Sequence, residues 1–179
     1  MAPDRSRPYV VGVAALRRVA GSSRQVELRA PVADVAVLSA SVPDDAEVDV
    51  LVELSSYPGG IMVTGTVSAP WRGECRRCGG TVEGRLSSEV RERFEPSATS
   101  GGAGGDDDAY ELEGTDVDLE PLVRDALLLE LPLAPLCTEG CRGLCSRCGA
   151  DLNVTSCDCA AEVDVRWSVL DQLRGPEGE

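Results

Sequence analysis

The chain has 179 residues, which is enough for one domain or for one domain with an appended module, and its formal net charge is -14. Aromatic residues make up only 3% of it, so a hydrophobic core has to be built mainly from Val, Leu and Ala. Because the sequence has no His, a Ser-His-Asp arrangement is excluded. It also contains no Walker loop and no G-x-G-x-x-G motif, and we expect a protein that is not an enzyme.

The negative charge is concentrated in the second half of the chain. Residues 1–95 hold 12 Arg and 13 acidic residues, whereas residues 96–179 hold 5 Arg and 18 acidic residues. Such a surface repels phosphate backbones and attracts basic partners, although it can also serve solubility alone. No apolar run approaches the ~18 residues that a membrane span needs, and the polar start carries no secretory signal. We therefore expect a cytoplasmic protein.

The first half of the sequence predicts β-structure. β-Branched residues are frequent in 9–16 and in 24–38, on either side of a turn at Gly21 to Ser23. Apolar residues alternate along 48–54 and again along 61–67, which predicts a hairpin around the turn between them. A third segment then carries apolar residues at every fourth position, a spacing that fits a helix as well as a strand. We favour a strand here, with the apolar positions Val82, Leu86, Val90 and Phe94.

The second half begins with a segment that predicts a flexible loop, because residues 96–109 hold no large apolar side chain that could offset the entropy of ordering. Asp118 then has the position of a helix N-cap, and Pro132 ends the helix. A short terminal helix is predicted over 164–173. The apolar face of the first helix is predicted to hold Leu119, Leu122, Ala126 and Leu129.

The eight cysteines form four close pairs. Two pairs have the spacing C-x-x-C and are followed by Gly, in the near-copies 75–79 and 145–149. This is the spacing of a zinc knuckle, in which both thiolates face one ion and the Gly permits the sharp turn. In a reducing cytoplasm such pairs are metal ligands more often than disulfides. The predicted ligands are Cys75, Cys78, Cys137, Cys141, Cys145, Cys148, Cys157 and Cys159.

Eight thiolates supply two closed tetrahedral sites, so two Zn²⁺ ions per chain are expected. The favoured grouping joins the first knuckle to Cys137 and Cys141, and leaves 145–159 to bind the second ion. The alternative puts Cys137 and Cys141 with the second knuckle, and the first knuckle with Cys157 and Cys159, since spacing alone does not fix the grouping. Iron fits a four-sulfur site as well. A redox C-x-x-C is less favoured because no thioredoxin-like βαβ pattern surrounds either pair.

These elements predict an α+β fold, with a mostly antiparallel β unit, a long helix and a zinc-bearing C-terminal segment. We expect a β-rich region with the first knuckle at 1–95 and a flexible acidic loop at 96–115. The helix and the cysteine-rich segment then occupy 116–179 and form one domain with 1–95.

Several motifs occur in an order that resembles the YceD family, the large ribosomal RNA subunit accumulation proteins. They are the first knuckle with its Gly, then 117–125, 131–137 and 141–153. The resemblance covers residues 10–173 and is most specific over 118–153. It implies a non-catalytic accessory role in large-subunit biogenesis or large rRNA accumulation. Some members of the family lack the later cysteine cluster, which implies two separable sites.

The resemblance implies a large-subunit ribosomal protein or a pre-ribosomal particle as partner, whereas the net charge disfavours direct rRNA binding. We favour an acidic surface that holds a basic protein, formed by Asp118, Glu120 and Asp125 with the neighbouring Asp116 and 106–108. The competing hypothesis is an RNA-facing basic surface at the first knuckle, formed by Arg76, Arg77, Arg91 and Arg93 with Arg72 and Arg85. The alternative function is a zinc-dependent interaction or regulatory module without a ribosomal role.

Overall fold

The computed structural model describes residues 7–96, 109–159 and Arg166. Within these residues the chain forms nine strands, a 3₁₀ turn at Leu16–Arg18 and one α-helix. The predicted terminal helix, apart from Arg166, and most of the predicted flexible loop, residues 97–108, lie outside the described residues. The elements are β1 (Val10–Gly12), β2 (Ser23–Pro31), β3 (Ala36–Val37), β4 (Ala40–Ser41), β5 (Glu47–Tyr57), β6 (Gly60–Glu74), β7 (Thr81–Pro96), β8 (Tyr110–Glu113), β9 (Asp116–Asp118) and α1 (Glu120–Glu130).

The strands form one sheet around β6. This strand pairs with β7 along its whole length, from Ile61 opposite Phe94 to Glu74 opposite Thr81. Its other edge pairs first with β5 and then with β4, and β2 extends the sheet beyond β5. On the far side, β7 pairs with β8 in parallel, and β9 and β1 follow. Among the described strands all other pairings are antiparallel, so the expected mostly antiparallel β unit is confirmed.

The predicted hairpin is confirmed as β5 and β6. The even-numbered residues from Val48 to Leu54 are buried, and the residues between them face outward. The third predicted strand is also confirmed, as β7. Its apolar spacing of four was ambiguous because positions four apart lie on one face of a strand as well as on one face of a helix. The long hairpin β6–β7 carries its turn, residues 75–80, to one end of the sheet.

Helix α1 has 11 residues and packs on the face of the sheet that holds the buried core, next to β6 and β7. The residue at its N-cap is Leu119, so the prediction of Asp118 as N-cap is wrong by one position. Asp118 ends β9 instead, although its Oδ1 still accepts a hydrogen bond from the Glu120 N–H, at 3.0 Å. Leu129 was expected on the buried face but is 86% exposed. The buried stripe includes Val123 and Leu127, which leaves Leu129 at its flank in the last turn.

Residues 110–113 were expected to be part of the acidic loop, but they form β8. Tyr110 explains this, because its ring stacks on Phe94 of β7 with the ring centroids 5.1 Å apart. Strands β8 and β9 then lead directly into α1, and the buried core cluster contains side chains from both halves of the chain. The segment that follows α1 reaches the turn of the β6–β7 hairpin, where the Arg76 N–H donates to the Pro135 carbonyl. In the described part of the chain, no helix is long and apolar enough to span a membrane.

Candidate metal centres

The turn between β6 and β7 carries Cys75 and Cys78. The Cys75 N–H donates to the Gly80 carbonyl, and the Gly79 N–H donates to the Cys75 carbonyl, each at 2.8 Å. Gly79 has a φ of 71°, in the left-handed region that a residue without Cβ adopts at little cost. The C-x-x-C-G sequence thus folds into a tight turn that places two thiols on the same side.

The segment after α1 is held against this turn by hydrogen bonds from several directions. The Arg76 N–H donates to the Pro135 carbonyl at 2.9 Å, and the Ser39 hydroxyl donates to the Leu133 carbonyl at 2.9 Å. The guanidinium of Arg77 donates to the Cys141 carbonyl at 2.7 Å. These contacts bring Cys137 and Cys141 to the first knuckle from more than 50 residues away in sequence.

The four sulfurs of this first centre have the spacing of a tetrahedral metal site. The Sγ atoms of Cys75 and Cys141 are 3.7 Å apart, as are those of Cys78 and Cys137, and all four lie within 4.8 Å of one another. A tetrahedron with a Zn–S distance of about 2.3 Å places its sulfurs about 3.8 Å apart. The residues therefore fit a zinc ion, and they also fit iron in a four-sulfur site.

The second centre contains a knuckle with the same backbone hydrogen bonds as the first. The Cys145 N–H donates to the Ala150 carbonyl at 2.8 Å, and the Gly149 N–H donates to the Cys145 carbonyl at 2.9 Å. Gly149 has a φ of 71°, the value found at Gly79. A β-bridge joins Leu144 to Asp151 across the base of this turn. In the first knuckle, the pairing of the last residue of β6 with the first residue of β7 occupies the same place.

The sulfurs of Cys145, Cys148, Cys157 and Cys159 lie within 4.8 Å of one another and complete the second centre. Cys148 and Cys159 are exposed, whereas the first centre has two buried cysteines, Cys75 and Cys141. These two sets of four are the ones that the described residues bring together, and they match the favoured grouping from the sequence. The alternative grouping across the two knuckles is not formed among the described residues.

Hydrogen bonds from backbone N–H groups lower the pKa of one thiol in each centre. The N–H groups of Cys137, Cys78 and Arg77 lower the pKa of Cys75 to about 6, even though burial raises it. In the second centre, the N–H groups of Cys148 and Arg147 lower the pKa of Cys145 to about 6. A hydrogen bond with Cys148 and burial raise the pKa of the Cys159 thiol to about 12. Binding of a cation would therefore displace protons from the remaining thiols.

The proposed basic surface is only partly available for a partner. The Arg77 side chain contacts the Cys141 and Glu139 carbonyls, at 2.7 and 3.3 Å. Arg93 lies 3.7 Å from the Glu95 carboxylate. Arg76 and Arg91 are exposed, and neither has an ion pair with another described residue. Arg76 lies on the first knuckle and Arg91 on the outward face of β7, so the four arginines do not converge on one site.

The proposed acidic surface also contains internal contacts. The Asp118 carboxylate lies 3.0 Å from the Arg7 guanidinium, and the Glu120 carboxylate lies 3.1 Å from the Arg124 guanidinium. Asp125 is exposed and accepts a hydrogen bond from the Tyr110 hydroxyl at 2.7 Å. The charges of Asp118 and Glu120 are therefore partly neutralised within the chain, and Asp125 is the more accessible of the three predicted residues.

Sequence reasoning missed two side chains that support the first centre. One is Arg77, which had been expected to face a partner and instead holds the loop that carries Cys141. The other is Asn153, whose Nδ2 lies 3.4 Å from the Cys141 Sγ. Neither contact has a sequence signal, because the Arg77 contact depends on where the segment after α1 lies, and the Asn153 contact on where the second knuckle lies.

Comparisons with known proteins agree on one family. The sequence model of the family described as Large ribosomal RNA subunit accumulation protein YceD matches residues 63–174, a span that includes all eight cysteines. An uncharacterized protein of Mycobacterium tuberculosis is 32% identical over 175 residues, which cover 96% of this chain and 84% of that protein. An uncharacterized protein of Mycobacterium leprae is 31% identical over 134 residues, which cover 74% of this chain and 61% of that protein.

A plant protein shares a shorter region. The Large ribosomal RNA subunit accumulation protein YCED homolog 1, chloroplastic, of Arabidopsis thaliana is 36% identical over 63 residues, which cover 35% of this chain and 20% of that protein. No solved structure matches the chain. The family model matches more than half of the sequence, and the mycobacterial relatives align with most of it. The chain therefore belongs to the YceD family of large ribosomal RNA subunit accumulation proteins.

Proposed function

We propose that the chain is a non-catalytic, zinc-binding accessory factor for biogenesis of the large ribosomal subunit, and that it acts by binding. The observation that carries this proposal is the pair of four-cysteine centres in a chain of a family named for large rRNA accumulation. The Arabidopsis relative bears the same description in its name.

The composition of each centre supports a structural metal rather than a catalytic one. A catalytic zinc keeps one coordination position open for water or substrate and usually has a His or carboxylate ligand. Here four thiols surround each position, and the chain has no His. At the first centre the ligands come from the β6–β7 turn and from the segment after α1. Metal binding there would hold two distant parts of the fold together.

As the direct partner we propose a basic protein of the large subunit, or a pre-ribosomal particle that exposes one. Residues 96–179 hold 5 Arg and 18 acidic residues, and four thiolates around a dication leave each centre negatively charged. Among the described acids, Glu111, Asp116 and Asp125 are exposed on the stretch from β8 to α1. Charges of this kind steer a basic partner toward the surface and are screened by salt.

The ribosomal role is tested by sedimentation of ribosomal subunits from cells depleted of the protein. Loss of large subunits relative to small subunits, restored by the wild-type gene, is the expected result. A normal subunit profile would contradict the proposal and favour a zinc-dependent regulatory module. Elemental analysis of the purified protein is expected to give close to two zinc ions per chain, whereas iron would change the ion but not the centres.

The partner is tested with two sets of variants at exposed positions, three acidic residues in one set and two arginines in the other. Glu111→Gln with Asp116→Asn and Asp125→Asn is expected to slow association with pre-ribosomal particles, and the effect should shrink at high salt. Arg76→Gln with Arg91→Gln removes two exposed charges of the opposite sign. If the arginine variants alone abolish association and the acidic variants have no effect, the partner is RNA and the proposed basic protein is wrong.

A further inference from the structure

The two metal centres are connected by a single side chain. Asn153 follows the second knuckle, yet its Nδ2 donates to the Cys141 Sγ of the first centre at 3.4 Å. Cys141 is 2% exposed, so this hydrogen bond reaches a buried sulfur. Hydrogen bonds from amides to ligating sulfurs set the orientation of the ligand.

The orientation of the Asn153 amide is fixed by its other contacts. Its Oδ1 accepts a hydrogen bond from the Arg142 N–H at 2.8 Å, and its Nδ2 also donates to the Asp151 Oδ1 at 2.8 Å. A flipped amide would place its NH₂ group against the Arg142 N–H and its oxygen against the Asp151 carboxylate. The network therefore requires the donor to face Cys141.

The second knuckle determines where Asn153 lies. Asp151 is bridged to Leu144 across the base of the Cys145–Cys148 turn, and its Oδ1 accepts a hydrogen bond from the Asn153 N–H at 2.9 Å. The Leu152 N–H donates to the Gly143 carbonyl at 2.9 Å. A folded second knuckle thus holds Asn153 against the first centre, although Asn153 is not a ligand of either.

We propose that Asn153 is a positioning residue through which metal binding at the second centre strengthens metal binding at the first. This inference rests on the proposed zinc binding. The second ion orders the knuckle, the knuckle fixes Asp151 and Asn153, and the Asn153 amide holds the Cys141 sulfur in position as a ligand of the first ion. Because coupling between sites is reciprocal, metal at the first centre strengthens metal binding at the second by the same factor.

The test is a double-mutant cycle with Asn153→Ala and Cys148→Ser, and with Val154→Ala as the control for an exposed neighbour. Each protein is loaded with ¹¹³Cd²⁺, whose resonance reports on each centre separately, and its affinity is measured by chelator competition. Cys148→Ser assigns the second resonance. Asn153→Ala is expected to shift the ¹¹³Cd resonance of the first centre and to weaken its affinity by about 10-fold, the low end for loss of an outer hydrogen bond.

In the Cys148→Ser background, Asn153→Ala is expected to have little further effect, because Asn153 is no longer held in place. An equal effect in both backgrounds would overturn the coupling, and no effect in either would overturn the role of Asn153. Asn153→Asp keeps the acceptor for Arg142 and loses the donor to Cys141, so it should weaken the first centre as Asn153→Ala does. A wild-type protein that binds no metal would overturn the proposed function itself, which is a separate result.

Discussion

The two cysteine centres are alike in their knuckles and different in what they connect. Each knuckle has the same two backbone hydrogen bonds, the same left-handed Gly and a paired base. At the first centre the remaining ligands are 59 and 66 residues from their knuckle partners, in the segment after α1. At the second, all four ligands lie within the stretch from Cys145 to Cys159.

The two centres should therefore fold their knuckles in the same way but contribute differently to the stability of the whole protein. The C-x-x-C-G sequence forms the same turn at both of its positions in this chain, because the Gly adopts the left-handed φ at little cost and backbone N–H groups face the sulfurs. The stabilising effect of a bound ion depends instead on the length of chain that it closes, since a cross-link restricts the unfolded state more when its loop is longer. The first centre is therefore expected to stabilise the whole fold, and the second chiefly its own segment.

The largest expected effect comes from Cys78→Ser. The variant should lose one of two metal ions, and its thermal midpoint should fall on the order of 10 °C, because a tightly bound ligand of the folded state is lost. Hydrogen exchange is expected to speed up in the β6–β7 turn and in residues 131–144 together. Ser146→Ala, at an exposed position inside the other knuckle, is the control and should retain both ions.

Cys148→Ser is expected to have a more local effect. It should also lose one ion, but faster hydrogen exchange should be confined to residues 143–159, and the thermal midpoint of the sheet should change by only a few degrees. Calorimetry and exchange of the two variants side by side measure the difference. If Cys148→Ser unfolded the sheet as Cys78→Ser does, the contrast between a global and a local centre would be wrong.

The sequence predicts the local parts of this structure well. The alternation along β5 and β6 predicts the hairpin, and the two C-x-x-C-G motifs predict the knuckles. It does not predict the pairing of β1 with β9 or the parallel pairing of β7 with β8, because these contacts form between segments far apart in sequence. The predicted N-cap and the predicted burial of Leu129 fail for a related reason, since both depend on how α1 lies on the sheet.

In the candidate centres, too, the local features are predictable from the sequence and the long-range ones are not. Cysteine spacing predicts the four pairs but leaves two groupings open, and the structure selects one of them by placing 131–141 next to the first knuckle. Arg77 illustrates the limit of the pattern. From the sequence it is expected to face a partner, whereas in the fold its guanidinium donates to the Glu139 and Cys141 carbonyls and holds the Cys141 loop.

At the junction between the centres, a Gly→Ala substitution should cost more than at the glycine of either knuckle. Gly143 has a φ of 74°, and a Cβ added there would lie 2.8 Å from the Arg77 carbonyl oxygen, closer than van der Waals contact allows. Gly143→Ala therefore combines backbone strain with a clash between the new Cβ and a backbone carbonyl oxygen. We expect it to weaken both centres by about 10-fold or more in chelator competition. An effect on the second centre alone would show that the two knuckles are mechanically independent.

The smallest effects are expected when the glycine of each knuckle is replaced by Ala, and these two variants can be compared directly. Gly79→Ala and Gly149→Ala each place a Cβ at a φ of 71°, and neither Cβ would have a contact within 4 Å, so the cost in both is backbone strain alone. That strain is roughly 1 kcal/mol, which corresponds to about a fivefold loss of affinity at the substituted centre. Chelator competition should give the same factor for both variants, with the other centre nearly unchanged. Unequal factors would mean that the surroundings, and not the C-x-x-C-G turn, set the local stability of each knuckle.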